Sequence, residues 1–549
     1  VKIGVLQLNS TIGDYDANRS KLVAAYEKAC KSGAEFVIAP ELFLCGYPPR
    51  DLLLRLDFVE ANLNALAETA RAVGDVPLCV GFVDRNEIRP GRALTNSAGI
   101  LQNGKIIWRQ RKSLLPTYDV FDEDRYFQPS AKDEIGPFEF KGRKIAITVC
   151  EDIWNDEDFW PERLYRRDPI KELISKGADL ILNISASPWH AGKEKTRLAM
   201  LQRVARDERV PLVQVNVVGA NDELIFDGHS VALNRNGEPI AQGKGFAEDV
   251  FVVDVDGSAP AMDLNWPVPE QQLFAALSLG IRDYVQKCGF KSVVLGLSGG
   301  IDSALTAVLA VDALGADKVM GISMPARYSS TGSLTDAELL ARNLGIRYEV
   351  LPIEPPFKAM ETLLSKLFTG TKLNEAEENV QSRLRGVTLM AVSNKFGPLV
   401  LTTGNKSEMA VGYCTLYGDM CGALAVIADV FKTDVYKVSR WVNREREIIP
   451  SDSITKPPSA ELRPDQKDQD SLPEYEMLDA ILQLYVVEHL SKEEIIRRGF
   501  SAAIVNDVIN KVTFSEYKRR QAAPGLKVSP RAFGMGRRIP IAQRFRPAR

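Results

Sequence analysis

One stretch constrains this chain more than any other: Val293-Val294-Leu295-Gly296-Leu297-Ser298-Gly299-Gly300-Ile301-Asp302-Ser303-Ala304. Residues 293–297 are a short apolar run broken by one glycine, the pattern of a strand buried on both faces. From Asp302 the period changes, and Ala304, Leu305, Val308, Leu309 and Val311 recur at helical spacing. The turn between them is almost wholly serine and glycine. With no Cβ in the way, its backbone N–H groups can approach an anion, and the helix that follows points its N-terminus at the same place. The stretch therefore reads as a phosphate cradle. No Gly-Lys-Ser/Thr follows it, which excludes a Walker loop.

The segments after the cradle repeat its logic. Strand patterns at 318–323, 347–351 and 398–402 are each separated from the last by a helical stretch. That βαβ period predicts a parallel sheet with right-handed crossovers and a ligand at its carboxyl edge. A long helix is expected around Glu378, and a Pro-rich polar loop at 456–466. Residues 465–470 are polar enough to predict a mobile stretch. The basic C-terminal residues Arg537, Arg538, Arg544, Arg546 and Arg549 read as a solvated tail.

At 549 residues the chain is too long for one core. A polar, Pro-rich segment containing Ser258-Ala259-Pro260 and Pro267-Val268-Pro269 marks a linker, with a new helix near Gln271. The expected division is 1–257, a linker at 258–270, and 271–549. The first half also alternates strands (2–9, 36–39, 144–149, 178–185, 210–218, 250–255) with helices such as 17–31. Asn103-Gly104 and Asn236-Gly237 are hairpin signals. Residues 99–105 nearly spell a Walker loop, but Ile106 stands where Ser or Thr must be and the context is strand–turn–strand.

Three isolated side chains in this half draw notice because each follows a strand or basic run. Glu41 sits in Pro40-Glu41-Leu42, Lys112 in Lys112-Ser113-Leu114-Leu115-Pro116, and Cys150 in Cys150-Glu151-Asp152. Singly, each has an ordinary reading: a strand-end acid facing water, one member of a solvated basic run, a small core residue. The seven cysteines are odd in number and scattered without C-x-x-C, which fits reduced thiols in the cytoplasm and neither a disulfide framework nor a zinc site. Only three histidines exist, so chemistry that depends on a histidine base has few places to occur.

Taken together, Glu41, Lys112 and Cys150 resemble the catalytic Glu–Lys–Cys set of the carbon–nitrogen hydrolase (nitrilase) family, over residues 1 to about 255. The resemblance implies an αββα sandwich and a thiol that attacks an amide. A free thiol with a pKa near ~8.5 is mostly protonated at neutral pH and needs a base or a cation beside it. Glu41 would take the proton and later activate water. Lys112 would supply positive charge to thiolate and oxyanion, a kind of contact worth about 3 kcal/mol. By position, Glu123 resembles the family's second glutamate, and Tyr118, Ser187 and Lys193 would bind glutamine in its glutaminase members. His190 reads as a rim residue.

The second half resembles the pyrophosphate-loop enzymes, and within them the NAD synthetase family. The matches are S-G-G-x-D-S, E-N-x-Q-x-R from Glu378, T-G-N-K-S-E from Thr403, Y-G-D from Tyr417, F-K-T from Phe431 and P-S-A-E-L from Pro458. The resemblance implies a doubly wound parallel sheet that binds ATP through Gly296, Leu297, Ser298, Gly299, Gly300, Ile301, Asp302, Ser303 and Thr403. It implies Mg²⁺ on Asp302 and Glu408, hard carboxylates suited to a metal on phosphates. Asn379, Glu408, Asp419, Lys432, Ser459 and Lys518 would face deamido-NAD⁺, and Met324 to Arg327 the adenine side.

The implied partners are glutamine, ATP and deamido-NAD⁺, with a homo-oligomeric assembly. A net charge of −3 gives no electrostatic case for nucleic acid, and no apolar run is long enough to cross a bilayer. The first residues follow a strand pattern, so a secretory leader is not expected. Joining an ammonia-releasing unit to an ammonia-consuming one has a chemical rationale, because ammonia in bulk water is mostly protonated and then no nucleophile. Two other readings stay open on sequence alone: the same chemistry on another adenylated acceptor, and a non-catalytic sensor built on a retired enzyme.

Overall fold

The computed structural model describes residues 1–88, 90–156, 159–160, 162–257 and 260–545. Ser258 and Ala259 of the expected linker, and Arg546 and Arg549 of the expected tail, lie outside the described residues. The chain divides into two units, Val1–Pro267 and Val268–Arg549.

In the first unit, strands β1 (Lys2–Gln7), β2 (Phe36–Ile38), β3 (Leu78–Arg85), β4 (Leu94–Gln102) and β5 (Lys105–Arg111) are interleaved with helices α1 (Tyr15–Lys31) and α2 (Leu56–Ala72). Then come β6 (Phe138–Phe140), β7 (Arg143–Val149), α3 (Pro169–Ser175), β8 (Leu180–Ser185), α4 (Lys193–Glu208) and β9 (Leu212–Asn216). Strands β10 (Val218–Asn221), β11 (Leu224–Asp227), β12 (Val231–Leu233), β13 (Pro239–Gln242) and β14 (Asp249–Asp254) complete it. Two six-stranded sheets result, ordered β14-β1-β2-β3-β4-β5 and β13-β12-β9-β8-β7-β6.

Strand alternation explains the layers. Ile3, Val5, Ile145, Ile147, Leu180, Leu182, Val213 and Val215 point into one core shared by the two sheets. On the outer face of the first sheet, Leu6 and Val37 pack with Leu22, Ala29 and Leu66 of α1 and α2. On the outer face of the second, Ile181 and Leu212 pack with Met200, Leu201 and Val204 of α4. This is the αββα sandwich expected above. Asn103 and Gly104, both with positive φ (47° and 77°), make the β4–β5 hairpin turn, so the near-Walker run is indeed a turn. The single strand expected at 210–218 is instead two: β9 pairs with β8, whereas β10 pairs only with β11. The break falls after Asn216, the last residue of β9 paired with β8, whose side chain bonds the Ser187 backbone and Asp227 of β11.

The second unit opens with α5 (Pro269–Lys287), so the helix starts inside the segment expected as linker. Proline at its first position suits a helix start, since no N–H is lost there. The βαβ series follows: β15 (Val293–Gly296), α6 (Ile301–Leu314), β16 (Val319–Ser323), α7 (Thr331–Leu344), β17 (Arg347–Val350), α8 (Glu354–Leu364), α9 (Glu375–Phe396), β18 (Leu399–Thr402), α10 (Lys406–Val411), β19 (Leu424–Ala425) and α11 (Lys432–Val442). All five strands are parallel in the order β17-β16-β15-β18-β19. The order reverses direction between β15 and β18, the switch point where open parallel sheets bind ligands. Val294, Ile322 and Val400 pack against Leu389 of α9. After α12 (Ser451–Thr455), helices α13 (Tyr475–Leu482), α14 (Lys492–Arg497) and α15 (Ala502–Phe514) build a second core with Ala410 and Val411 of α10, and the short α16 (Glu516–Arg519) follows.

Two expectations fail here. Residues 465–470 are not a loose polar loop: Asp468 is buried and accepts a hydrogen bond from Tyr475 (2.8 Å), and its N–H reaches Pro458 O (3.1 Å). Arg537 is not solvated: it pairs with Glu516 (2.8 Å) and lies 5.6 Å from the Phe533 ring. No helix of the described residues is long and apolar enough to cross a membrane.

Candidate active sites

In the first unit the strand ends bring three of the sequence-predicted side chains together. Glu41 follows β2, Lys112 follows β5 and Cys150 follows β7. The Lys112 ammonium lies 2.7 Å from Glu41 Oε1 and 2.9 Å from both oxygens of Glu123, with all three side chains essentially removed from water. Asn96 donates to Glu41 (2.7 Å) and to Glu123 (3.4 Å), Tyr47 donates to Glu123 (2.9 Å), and the Ala186 N–H donates to the second oxygen of Glu41 (2.9 Å). Both Glu41 oxygens are thus held, which fixes the orientation of the carboxylate.

Burial sets the electrostatics. It pushes the Glu123 carboxyl up to about 7, with Lys112 opposing. Burial works against the Lys112 ammonium, yet Glu123 and Glu41 outweigh it and hold its pKa well above the ordinary value. The Cys150 thiol is pushed up by burial and by Glu41, against the pull of Lys112. The thiol therefore keeps its proton until a base takes it, within the fields of the Glu41 carboxylate and the Lys112 ammonium. Cys150 itself has a left-handed backbone (φ 43°), an unusual state for a residue with a Cβ and one that aims its side chain off the end of β7. Asp152 locks that turn: it accepts from Val149 N (3.0 Å), Ser113 N (2.8 Å) and Leu114 N (2.9 Å), tying the Cys150 turn to the loop after Lys112.

The four residues expected to bind glutamine are placed as follows. Tyr118 OH donates to Glu151 (3.0 Å), as does Tyr165 (3.1 Å). Ser187 is buried with its N–H on Asn216 (2.9 Å). Lys193, at the start of α4, donates to Pro188 O (2.7 Å) and stands 5.3 Å from the Trp154 ring. Glu123 belongs to the charged cluster itself.

In the second unit a cleft of about 810 Å³ opens at the switch point. Gly296, Leu297, Ser298, Gly300, Ile301, Asp302, Ser303 and Thr403 line it, as do Asn379, Glu408, Asp419, Lys432, Ser459 and Lys518. Gly299 does not line it. Its role is steric: φ is +77°, and a Cβ there would sit 2.2 Å from Ser333 O. Arg327 also stands outside the lining and is taken up by Glu354 and Glu361, whereas Met324 and Pro325 line the cleft.

The cradle is prebuilt. Ser303 Oγ donates to Gly300 O (3.0 Å), and Gly300 N–H donates to Ser298 Oγ (3.2 Å). Next to it, Lys432 forms an ion pair with Asp302 and stands 3.9 Å from Glu408. Burial and Asp302 push the Glu408 carboxyl well above the carboxylate range, Lys432 opposing. The Asp302–Glu408 pair therefore gains from added positive charge. Among the described residues there is no cluster of three or more His, Cys, Asp or Glu arranged to hold a metal alone.

Residues 2–261 match the carbon-nitrogen hydrolase family and residues 273–522 match NAD synthase. Along its full length the chain is 49% identical to the "Glutamine-dependent NAD(+) synthetase" of a Synechocystis species, over 99% of both chains. This chain belongs to the glutamine-dependent NAD(+) synthetase family. The Thermotoga maritima member is 44% identical over 100% of this chain and 99% of its own. The Acinetobacter baumannii glutamine-dependent NAD+ synthetase, solved in complex with adenosine diphosphate, is 39% identical with a TM-score of 0.76 over 98% of each chain.

For a member of this family, the sequence reading missed four residues of the first site: Tyr47, Gly81, Asn96 and Asp152. Gly81 on β3 backs the glutamate, since a Cβ there would lie 2.2 Å from Leu42 N and 2.5 Å from Glu41 Cα. In the second unit it missed Asn405, which donates to Asp302 (3.0 Å), and Asp468 on the cleft wall. Asn405 had a usable signal, an N-cap residue three before a glutamate at a helix start.

Proposed function

We propose that this chain makes NAD⁺ from deamido-NAD⁺, ATP and the amide nitrogen of glutamine, releasing glutamate, AMP and pyrophosphate. What carries the reading is that two built sites occur in one chain of this family: the buried Glu41–Lys112–Glu123 cluster beside Cys150, and a Ser/Gly anion cradle opening into a cleft of about 810 Å³.

In the first site, Glu41 takes the Cys150 proton as the sulfur attacks the carboxamide carbon. Lys112 steadies the oxyanion, Glu41 passes that proton to the amide nitrogen as the C–N bond breaks, and ammonia departs to leave a thioester on the sulfur. Glu41 then draws a proton from water, which attacks the thioester carbon and frees glutamate. Tyr118, Ser187 and Lys193 position glutamine, and Glu123 holds Lys112 in place and charged.

In the second site, the nicotinate carboxylate attacks the α-phosphorus of ATP, and the bond to the bridging oxygen of pyrophosphate breaks. N–H groups between Ser298 and Ser303 hold the departing anion, with Thr403 on the nucleotide. Asn379, Asp419, Lys432, Ser459 and Lys518 hold deamido-NAD⁺. Mg²⁺ fits the charge-deficient pair Asp302 and Glu408, and when bound there it supplies charge to the phosphates. Ammonia then attacks the acyl carbon and expels AMP. A cytoplasmic location and a homo-oligomeric state belong to the same reading.

The test is one incubation with ATP, Mg²⁺, deamido-NAD⁺ and glutamine. Equal amounts of NAD⁺, AMP, pyrophosphate and glutamate are expected. Glutamate without AMP, or AMP only with another acid in place of deamido-NAD⁺, would overturn the assignment.

A further inference from the structure

The T-G-N-K-S-E run contains one charge that no step above uses. Lys406 is 0% exposed and does not line the cleft, although Asn405 beside it donates to Asp302 (3.0 Å) and Glu408 two residues on lines the cleft. An ammonium has three hydrogens, and all three are engaged: by Asp429 Oδ1 (2.8 Å), Ser529 Oγ (2.6 Å) and Arg531 O (2.8 Å). Asp429 in turn accepts from Val528 N (2.8 Å), Ser529 N (2.7 Å) and Ser529 Oγ (2.7 Å). The Lys406 N–H donates to Val430 O (2.9 Å), its ammonium stands 4.8 Å from the Phe431 ring, and Lys432 follows directly. Three segments far apart in sequence meet on this one cation.

We propose that Lys406 is a positioning residue for adenylation, fastening the C-terminal segment 527–531 and the turn at 429–432 to the start of α10, which presents Asn405 and Glu408. The segment 527–531 is then a working part of the synthetase site although none of its residues lines the cleft. A buried ion pair is a poor stabiliser compared with packed apolar side chains, because desolvation cancels most of its attraction. Its use here is geometric. Glu408 and Lys432 must meet Asp302, and each stands in the first turn of a helix, α10 or α11, whose start Lys406 ties down.

The inference rests on the adenylation reading, and its test separates the two. ATP–pyrophosphate exchange driven by deamido-NAD⁺ is measured for the full chain, for Lys406→Met, for Lys406→Met combined with Asp429→Asn, and for Ser529→Ala. Melting midpoints are taken alongside, with glutamine hydrolysis without ATP as a check on the first unit. If the unaltered chain shows no exchange, the adenylation reading itself has failed.

Lys406→Met is expected to lose at least tenfold in kcat and to raise the KM for deamido-NAD⁺ at least fivefold. The combined variant, in which neither member of the Lys406–Asp429 pair is left without the other, is expected to regain part of the melting midpoint lost in Lys406→Met and none of the exchange. Ser529→Ala, which keeps both charges, is expected to raise that KM at least twofold. A smaller fraction of folded enzyme would scale kcat and leave KM alone. Exchange that returns with the midpoint in the combined variant, or unaltered kinetics in Ser529→Ala, would overturn the proposal.

Discussion

Lys112 shows how a single side chain can hold a site together. It pairs with two buried carboxylates at 2.7 and 2.9 Å, and without it Glu41 and Glu123 would share a dry pocket with no counter-charge. Lys112→Met should therefore abolish glutamine hydrolysis and also lower stability by about 3–5 kcal/mol, the usual result of stripping one partner from a buried pair. A urea melt of the variant checks the second effect, and an unchanged midpoint would contradict it. Glu123 brings a pH dependence. Its carboxyl is pushed up to about 7 by burial, so below that pH it takes a proton and the cluster loses one negative charge facing Lys112. The expected result is a fall in kcat/KM for glutamine as pH drops through about 7, with the acid limb displaced in Glu123→Gln. Glu41, Lys112 and Cys150 stood out in the sequence only as a set, through the resemblance to the carbon–nitrogen hydrolases, since each alone has an ordinary reading. Asn96 was not, because it lies inside β4 and the carboxylates it serves are 55 and 27 residues away. A pattern with period two cannot reveal such a partner.

At the scale of elements, two glycines matter for the Cβ they lack: the motif gave Gly299 to ATP, and Gly81 was overlooked. Gly81 lets β3 pass against the backbone of Glu41 and Leu42, where a Cβ would come within 2.2 Å. Gly299 adopts φ +77° and lets the cradle approach Ser333 O. A left-handed conformation costs a residue with a Cβ about 1–2 kcal/mol, before any clash is counted. Gly81→Ala should cut glutamine hydrolysis at least tenfold while leaving ATP–pyrophosphate exchange intact, and Gly299→Ala should do the reverse. Measuring both activities in both variants tests the pair, and a shared loss in either would show that the damage spreads beyond its own unit. The elements themselves were read unevenly. β15, β16 and β18 announced themselves as apolar runs between helices, and so did the cradle. β3 escaped notice because Gly81 and Asp84 interrupt its apolar pattern. β10 was not told apart from β9 because Val217 and Val218 continue the apolar run, and only the change of ladder partner separates the two.

At the scale of the whole chain, the two units carry separate halves of one reaction, and each has its own core and its own site. The chemistry that joins them is the hand-over of ammonia, so the first unit should be dispensable when ammonia is supplied. Cys150→Ala tests this directly. Replacing the thiol removes the nucleophile but leaves Glu41, Lys112 and Glu123 paired, so no buried charge is orphaned and the fold should stand. Glutamine-dependent NAD⁺ formation should drop by about 10³-fold or more, in line with the loss of a nucleophile elsewhere. Formation from added ammonium chloride should stay within twofold of the unaltered chain, and the ammonium-driven rate should climb with pH as the free-ammonia fraction grows. Loss of both activities would mean that the thiol also serves the synthetase, and persistence of the glutamine-driven rate would remove Cys150 from the mechanism. A comparison of the two nitrogen sources at one pH decides between these outcomes, because both sources feed the same adenylate and differ only in whether the sulfur must act first.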